Sequence, residues 1–303
     1  MASFDIAGSG RSRRSFRVAG ALLAFAITTL GAFVPVVGVG ATTPAKNTVG
    51  VIFDSSLTDT MALVATAFHK ATGLSMLQTA GESAVDARAL AGKTTVQDVF
   101  VSEGTVAVKS LEVKKASLVS WYAQFGATPL VLAYNPKSKF AKDLRTMPWY
   151  KVVTMKGFSL GRATPDTDSS GTLAITALNA TAKTQHLPAL SKLATSKTDL
   201  YSETDLVTDL QKGHIAAAFF YGVDAASAGL KTVPLASVSL SAPYLITILH
   251  NSAHEGAAVT FIKFLLRAST ASIFSKGGVI EKSPPILTGN VTALPPPLRP
   301  LVS

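Results

Sequence analysis

The chain has 303 residues, 48 % of them apolar and only 15 % charged, with a formal net charge of +10. That is long enough for two lobes of ordinary domain size and too apolar for extensive disorder. The complete absence of cysteine excludes disulfides, thiolate zinc sites, thiol catalysis and a lipid-modified N-terminal cysteine.

The N-terminus comes first. Arg11, Arg13, Arg14 and Arg17 precede an apolar run from Ala19 to Val37, and Val39, Gly40 and Ala41 close it with small residues. A basic region, an apolar region and a small-residue cleavage site make a secretory signal. Ser12–Arg17 is similar to a twin-arginine signal, whose cargo crosses the membrane folded. Residues 1–41 are therefore expected to export the protein to a periplasmic or other extracytoplasmic location. The run is also about long enough to stay as a membrane tether. Four arginines against Asp5 put +3 of the charge here and leave about +7 on the rest. A basic remainder suits an anionic ligand, nucleic acid or a membrane, or is a solvated face.

The remainder alternates strands and helices. Thr48–Phe53 reads as a strand, and Leu57, Met61, Val64, Ala65 and Phe68 then fall on one helix face. A stop signal at Ala71–Gly73 ends that helix. Met76–Thr79 and Asp98–Val101 read as short strands, with a helix over about Ala84–Ala91 between them. Thr128–Tyr134 and Gly157–Gly161 are further strands, and Pro165–Gly171 is a polar turn before a helix over Thr172–Ala182. Thr204–Gln211 reads as a helix, Ala216–Tyr221 as a buried strand, Thr232–Leu235 and Ser241–Leu249 as strands, and Ala257–Arg267 as an apolar helix. The proline-rich tail from Ser283 to Pro300 is expected to wrap the surface in extended form. This is an α/β chain with mostly parallel sheets.

One chemical device recurs. Ser56 precedes the first helix, Ser83 the second, and Ser169, Ser170 and Gly171 the helix at Thr172. Helix N-termini carry unpaired N–H groups and partial positive charge, and a hydroxyl adds a donor. In open α/β sheets such turns gather at the carboxyl ends of strands, where ligands bind. Converging, they would hold a tetrahedral oxyanion with neutral donors alone. The bland reading of each serine is ordinary helix capping.

The order of the motifs sharpens this. Val51–Leu57, Ala80–Arg88, Gln97–Phe100, Ala133–Ala141, Gly161–Gly171, Phe219–Tyr221, Tyr244–Ile248 and Leu294–Val302 together resemble the molybdate/tungstate-binding proteins of ABC importers. The match spans Val49 to Val302. It implies a type II periplasmic-binding-protein fold: two α/β lobes, each a mixed, mostly parallel sheet flanked by helices, joined by two crossover strands. Lobe 1 is expected over 48–127 plus 247–303 and lobe 2 over 132–242, with hinge crossovers near 128–134 and 242–248. The resemblance also implies function without chemistry: capture of molybdate or tungstate between the lobes and delivery to an ABC permease in the membrane, with no cofactor and as a monomer. Carried over by position, Ser56 and Ser83 are the first-lobe ligands, Asp168 and Ser170 lie in the second-lobe ligand turn, and Tyr244 reaches toward the anion.

The sequence also departs from that pattern. The tungstate-type branch expands the metal to six-coordination with two carboxylates. Asp168 matches one, but Phe220 stands where the other belongs. Three arrangements are compatible with this. Asp168 binds the metal as a single carboxylate, or it caps the following helix and leaves tetrahedral binding to N–H and hydroxyl groups, or the ligand is another oxyanion such as sulfate or phosphate.

Other motifs are incomplete. Gly81, Ser83 and Val85 fall one glycine short of a nucleophile elbow, so an exported serine hydrolase using Ser83 is the alternative of another class. Asp166–Gly171 copies the start of a calcium loop, but Ala177 stands at its twelfth position. Gly92, Lys93 and Thr94 copy the end of a phosphate loop whose first glycine is Ala87. His69, His186, His214, His250 and His254 show no metal-ligand spacing. No basic run with interleaved aromatics points to nucleic acid.

Overall fold

The computed structural model describes residues 47–112, 117–165 and 168–303. The expected signal at 1–41 lies outside them. Among the described residues no single helix is long and apolar enough to cross a membrane.

The first lobe begins with β1 (Thr48–Asp54), a 3₁₀ turn (Ser55–Leu57), α1 (Thr58–Thr72), β2 (Ser75–Gly81), α2 (Ser83–Ala91), β3 (Val99–Glu103) and α3 (Thr105–Ser110). β1 lies between β2 and β3 and pairs with both in parallel. Val49, Val51 and Phe53 enter one buried cluster and Ile52 the opposite one. A strand covered on both faces reads as an unbroken apolar run, as residues 49–53 do. Met61, Val64 and Phe68 form the buried stripe of α1. Gly73 ends that helix in a left-handed conformation, φ 75°, which costs glycine little.

β4 (Trp121–Tyr134) joins the lobes. Residues 131–134 pair with the second-lobe strands, and residues 121–127 pair with first-lobe strands on both sides. The second lobe contains α4 (Ala141–Thr146), α5 (Trp149–Val152), β5 (Leu160–Ala163), α6 (Ser169–Thr184), α7 (Pro188–Thr195), β6 (Leu200–Tyr201), α8 (Glu203–Lys212), β7 (Ala217–Tyr221), α9 (Gly222–Ser227) and β8 (Lys231–Pro234). Here β5 pairs in parallel with β6 and β7, and β7 and β8 flank β4 antiparallel. The chain returns through β9 (Ser241–Ile248), α10 (Glu255–Leu265), α11 (Ala268–Lys276) and β10 (Ile280–Gly289). The strand–helix repeats thus pair in parallel, and the returning strands pair antiparallel. Of the two segments expected to cross, 128–134 is the second half of β4. The other, 242–248, lies in β9, bonded to β3 and β4 within the first sheet.

Two expectations change. Residues 283–289 of the tail join the first sheet through β10, and residues 296–301 form a 3₁₀ turn. Pro284 and Pro285 sit where the β10–β4 register shifts, between Glu281 and Ile286. A bulge is where a strand tolerates residues that cannot donate. The helix expected from Thr172 starts at Ser169, because Asp168 caps it.

The lobes also meet behind β4, where the strand-leading Gly278 lies against the backbone of Gly222 at the start of α9. A Cβ on Gly278 would collide with the Gly222 carbonyl, and its φ is +80°. Gly278→Ala is therefore expected to cost at least about 1 kcal/mol, seen as a lower urea midpoint with an unchanged slope.

Candidate ligand-binding cleft

A cleft of about 650 Å³ opens between the lobes at the carboxyl ends of β1, β3 and β7. From the first lobe it is lined by Asp54, Ser56, Glu82, Ser83 and Glu103, and from the second by Asp168, Ser169, Tyr221 and Asp224. An interlobe hydrogen bond, from the Ser227 hydroxyl to Asp59 Oδ2 at 2.8 Å, ties α9 to the start of α1.

The first-lobe side is built around Asp54, the last residue of β1. Its Oδ1 accepts from the Ser56 amide at 3.1 Å and the Ser56 hydroxyl at 2.8 Å. Its Oδ2 accepts from the Ser83 amide at 3.2 Å and the Ser83 hydroxyl at 2.5 Å. The parallel β1–β2 pairing sets Asp54 opposite Gly81, which brings the turn after β2 alongside the turn after β1. A second layer aims the hydroxyls. The Glu103 amide donates to Ser83 Oγ at 2.9 Å, so the Ser83 proton points to Asp54. Tyr244 Oη lies 2.8 Å from Ser56 Oγ. Burial, then the charge of Glu103, pushes the Tyr244 phenol well above its ordinary range. It therefore stays protonated, and because the Ser56 proton goes to Asp54, with Glu103 Oε2 a longer alternative at 3.5 Å, the Tyr244 hydroxyl donates to Ser56.

On the second-lobe side, the Asp168 carboxylate accepts from the Ser170 amide at 2.7 Å, as the N-cap of α6. The Ser169 hydroxyl lies 2.9 Å from Tyr221 Oη. Burial pushes the Tyr221 phenol up to about 12, with Ser169 acting in the opposite sense and Glu103, Asp168 and Asp224 adding to the rise. Tyr221 is thus a neutral donor at physiological pH.

Of the residues expected from sequence, Ser56, Ser83 and Asp168 share this cleft. Ser170 is buried behind it, and its neighbour Ser169 is the one exposed to the cavity. Tyr244 is fully buried and touches Ser56. Phe220 packs on the far face of β7 with Leu206, Leu210 and Ile215, because alternate residues of a strand face opposite ways. Sequence reasoning missed Asp54, Glu82, Glu103, Tyr221 and Asp224. Three of them, Asp54, Glu103 and Tyr221, are the last residues of their strands, and that position is the signal that could have found them. The basic balance of the chain does not extend to the cleft: no Lys, Arg or His is among its described lining residues.

Comparison with known proteins places this geometry. A family model for bacterial extracellular solute-binding proteins matches residues 49–279. The chain belongs to that family. The molybdate/tungstate-binding protein WtpA of Pyrococcus abyssi is 23 % identical over 223 residues, covering 56 % of this chain and 65 % of the relative. Matching stretches span 34 % to 65 % of the first curated relatives' lengths. Among solved structures, a substrate-binding domain from Clostridium difficile assigned to a molybdenum ABC transporter superposes with a TM-score of 0.64 at 19 % identity, over 78 % of this chain and 99 % of that one. The periplasmic molybdate-binding protein of Azotobacter vinelandii gives 0.56 at 18 %, over 77 % and 98 %. The fold of this solute-binding protein is the two-lobed type II periplasmic-binding fold.

Beneath the first-lobe turns, Asp86 is buried and its Oδ2 has no hydrogen-bond partner among the described residues. Burial, then the charges of Asp54 and Glu82, pushes its carboxyl up to about 6. A raised carboxyl favours the folded state while protonated, and that contribution is lost as pH rises from the ordinary carboxylate range through about 6. Asp86→Asn should therefore stabilise the protein by about 1–3 kcal/mol near neutral pH and have little effect at about pH 3. Urea midpoints at the two pH values check this.

Proposed function

We propose that this solute-binding protein captures a tetrahedral oxyanion, molybdate or tungstate, between its lobes and hands it to an ABC permease in the membrane. One observation carries the reading. Four neutral donors from two separate turns, the amides and hydroxyls of Ser56 and Ser83, converge on one pair of anionic oxygens at the cleft wall. Those oxygens belong to Asp54, and the convergence suits oxyanion charge with no cationic side chain among the described lining residues. The hydrogen-bonded Ser169–Tyr221 hydroxyl pair faces it from the other lobe, with one proton of the pair left as a further neutral donor. The names of the Pyrococcus and Azotobacter proteins agree with this cargo.

Capture would proceed by hinge closure about residues 128–134 of β4. Lobe 1 (48–127 and 247–303) presents Ser56 and Ser83, and lobe 2 (132–242) brings the Asp168–Gly171 turn over them. Tyr244 acts behind Ser56 as a positioning residue. Asp168, engaged as a cap, favours tetrahedral binding over a metal-bound carboxylate. Export through residues 1–41 would place the protein outside the cytoplasm, in keeping with the extracellular description of its family. The hydrolase alternative fares worse. Ser83 Oγ is committed to Asp54 and to the Glu103 amide, and no histidine is among the described lining residues to act as its base.

In a thermal-shift screen, molybdate and tungstate should raise Tm by roughly 5–10 °C at about a hundredfold excess over Kd, and sulfate and phosphate should do so less. No shift with any oxyanion would contradict the reading. Ser83→Ala should weaken tungstate binding by about tenfold or more in calorimetry. Asp168→Asn, which keeps a capping oxygen, should leave tungstate affinity within about threefold. A loss on the order of a hundredfold would instead mean that its carboxylate binds the metal.

A further inference from the structure

The anion subsite of the first lobe is already filled, and its occupant is part of the chain. Asp54 takes the amide and the hydroxyl of both Ser56 and Ser83. A cargo oxyanion that uses these donors has to take them from Asp54. The carboxylate would then face a dianion at close range. The titratable groups around it give no relief. α2 and its cap contribute Glu82 and Asp86, the end of β3 Glu103, and β9 the buried phenol of Tyr244. The second lobe contributes Asp168, Tyr221 and Asp224. All are acids or phenols, and the described cleft lining holds no basic side chain. Like charges brought together in a partly dehydrated cleft raise one another's affinity for protons.

Resting on the oxyanion reading above, we propose that cargo capture is an exchange: the oxyanion displaces the Asp54 carboxylate from its four donors, and the displaced carboxylate takes up a proton. The exchange favours a tetrahedral dianion for a structural reason. A carboxylate offers one negative charge and two oxygens to the first lobe alone. A tetrahedral dianion offers twice the charge and further oxygens to Ser169 and Tyr221 across the cleft. Asp54 thus acts as a selectivity threshold that a weaker anion does not cross. The proton moves to Asp54 from bulk water, and no bond within the cargo changes.

The test is calorimetry of tungstate binding to the full chain, in two buffers of different ionisation enthalpy between about pH 5 and pH 8. Wild type is compared with Asp54→Asn and Asp54→Ala. The exchange predicts uptake of about one proton per anion and an affinity that falls about tenfold for each unit of rising pH within the window. It predicts that Asp54→Asn, which keeps an oxygen for the serine amides, binds at least about tenfold more tightly than wild type at the alkaline end, without proton uptake. Wild-type binding with no proton uptake, or an Asn variant no tighter than wild type, overturns the exchange and leaves the oxyanion site standing. Binding by none of the three proteins overturns the oxyanion reading and the exchange together. If Asp54→Ala fails to fold by circular dichroism, the wild-type linkage and the Asn variant decide alone.

Discussion

Four hydrogen bonds to one carboxylate hold the cleft in its observed shape. The ends of β1 and β2 each open into a helical turn whose leading amides have no partner in their own helix. In most proteins a local side chain or water satisfies them. Here Asp54 draws both turns to a single point and orients two hydroxyls toward it. Every other feature of the first-lobe wall serves that point. The β3 end supplies the Glu103 amide to Ser83, and β9 supplies Tyr244 to Ser56. Each contact occupies an acceptor site of the serine, so the Ser83 proton is left for Asp54, and the Ser56 proton goes to Asp54 at 2.8 Å with Glu103 Oε2 a longer alternative at 3.5 Å.

The second lobe answers with the same vocabulary. Asp168 caps α6 as Asp54 caps the first turn, and Tyr221 and Ser169 share a hydrogen bond facing the cavity. Sheet topology puts the two walls opposite each other, because β4 belongs to both sheets, β1 and β3 run in its direction and β7 runs against it. A neutral donor set of this kind would discriminate by the size and charge of what it encloses, since no cation is among its described lining residues to attract any anion indiscriminately. Under the proposed exchange, the acidic rim would add to that discrimination by raising the cost of entry for weak ligands.

Much of this was legible in the sequence where burial writes itself into the residues. The runs at 49–53 and 217–221 are strands covered on both faces, and the 61–64–68 stripe is a helix against a sheet; each pattern has one structural meaning. The first half of β4 escaped because Gln124 and Gly126 interrupt its apolar run, although cross-strand pairing makes the strand continuous. Pro284 and Pro285 argued for an extended tail, and the chain there is extended, but as a bulged strand of the first sheet. Ser56 and Ser83 could be named because strand–turn–helix order is local. The role of Asp54 could not, since it depends on Ser83, 29 residues along the chain, meeting the same carboxylate as Ser56. Tyr221 has no signal beyond its place at the end of β7, where strand alternation faces it to the cavity and turns its neighbour Phe220 away.

The most direct measurement is a crystal structure of the protein soaked with tungstate, with the metal located by its anomalous scattering. The account predicts one tungsten peak between the lobes, its oxygens about 3 Å from the Ser56 and Ser83 hydroxyls, and the Asp54 carboxylate turned out of the position it holds now. A peak outside the cleft, or one bonded directly to an unmoved Asp54, would contradict it.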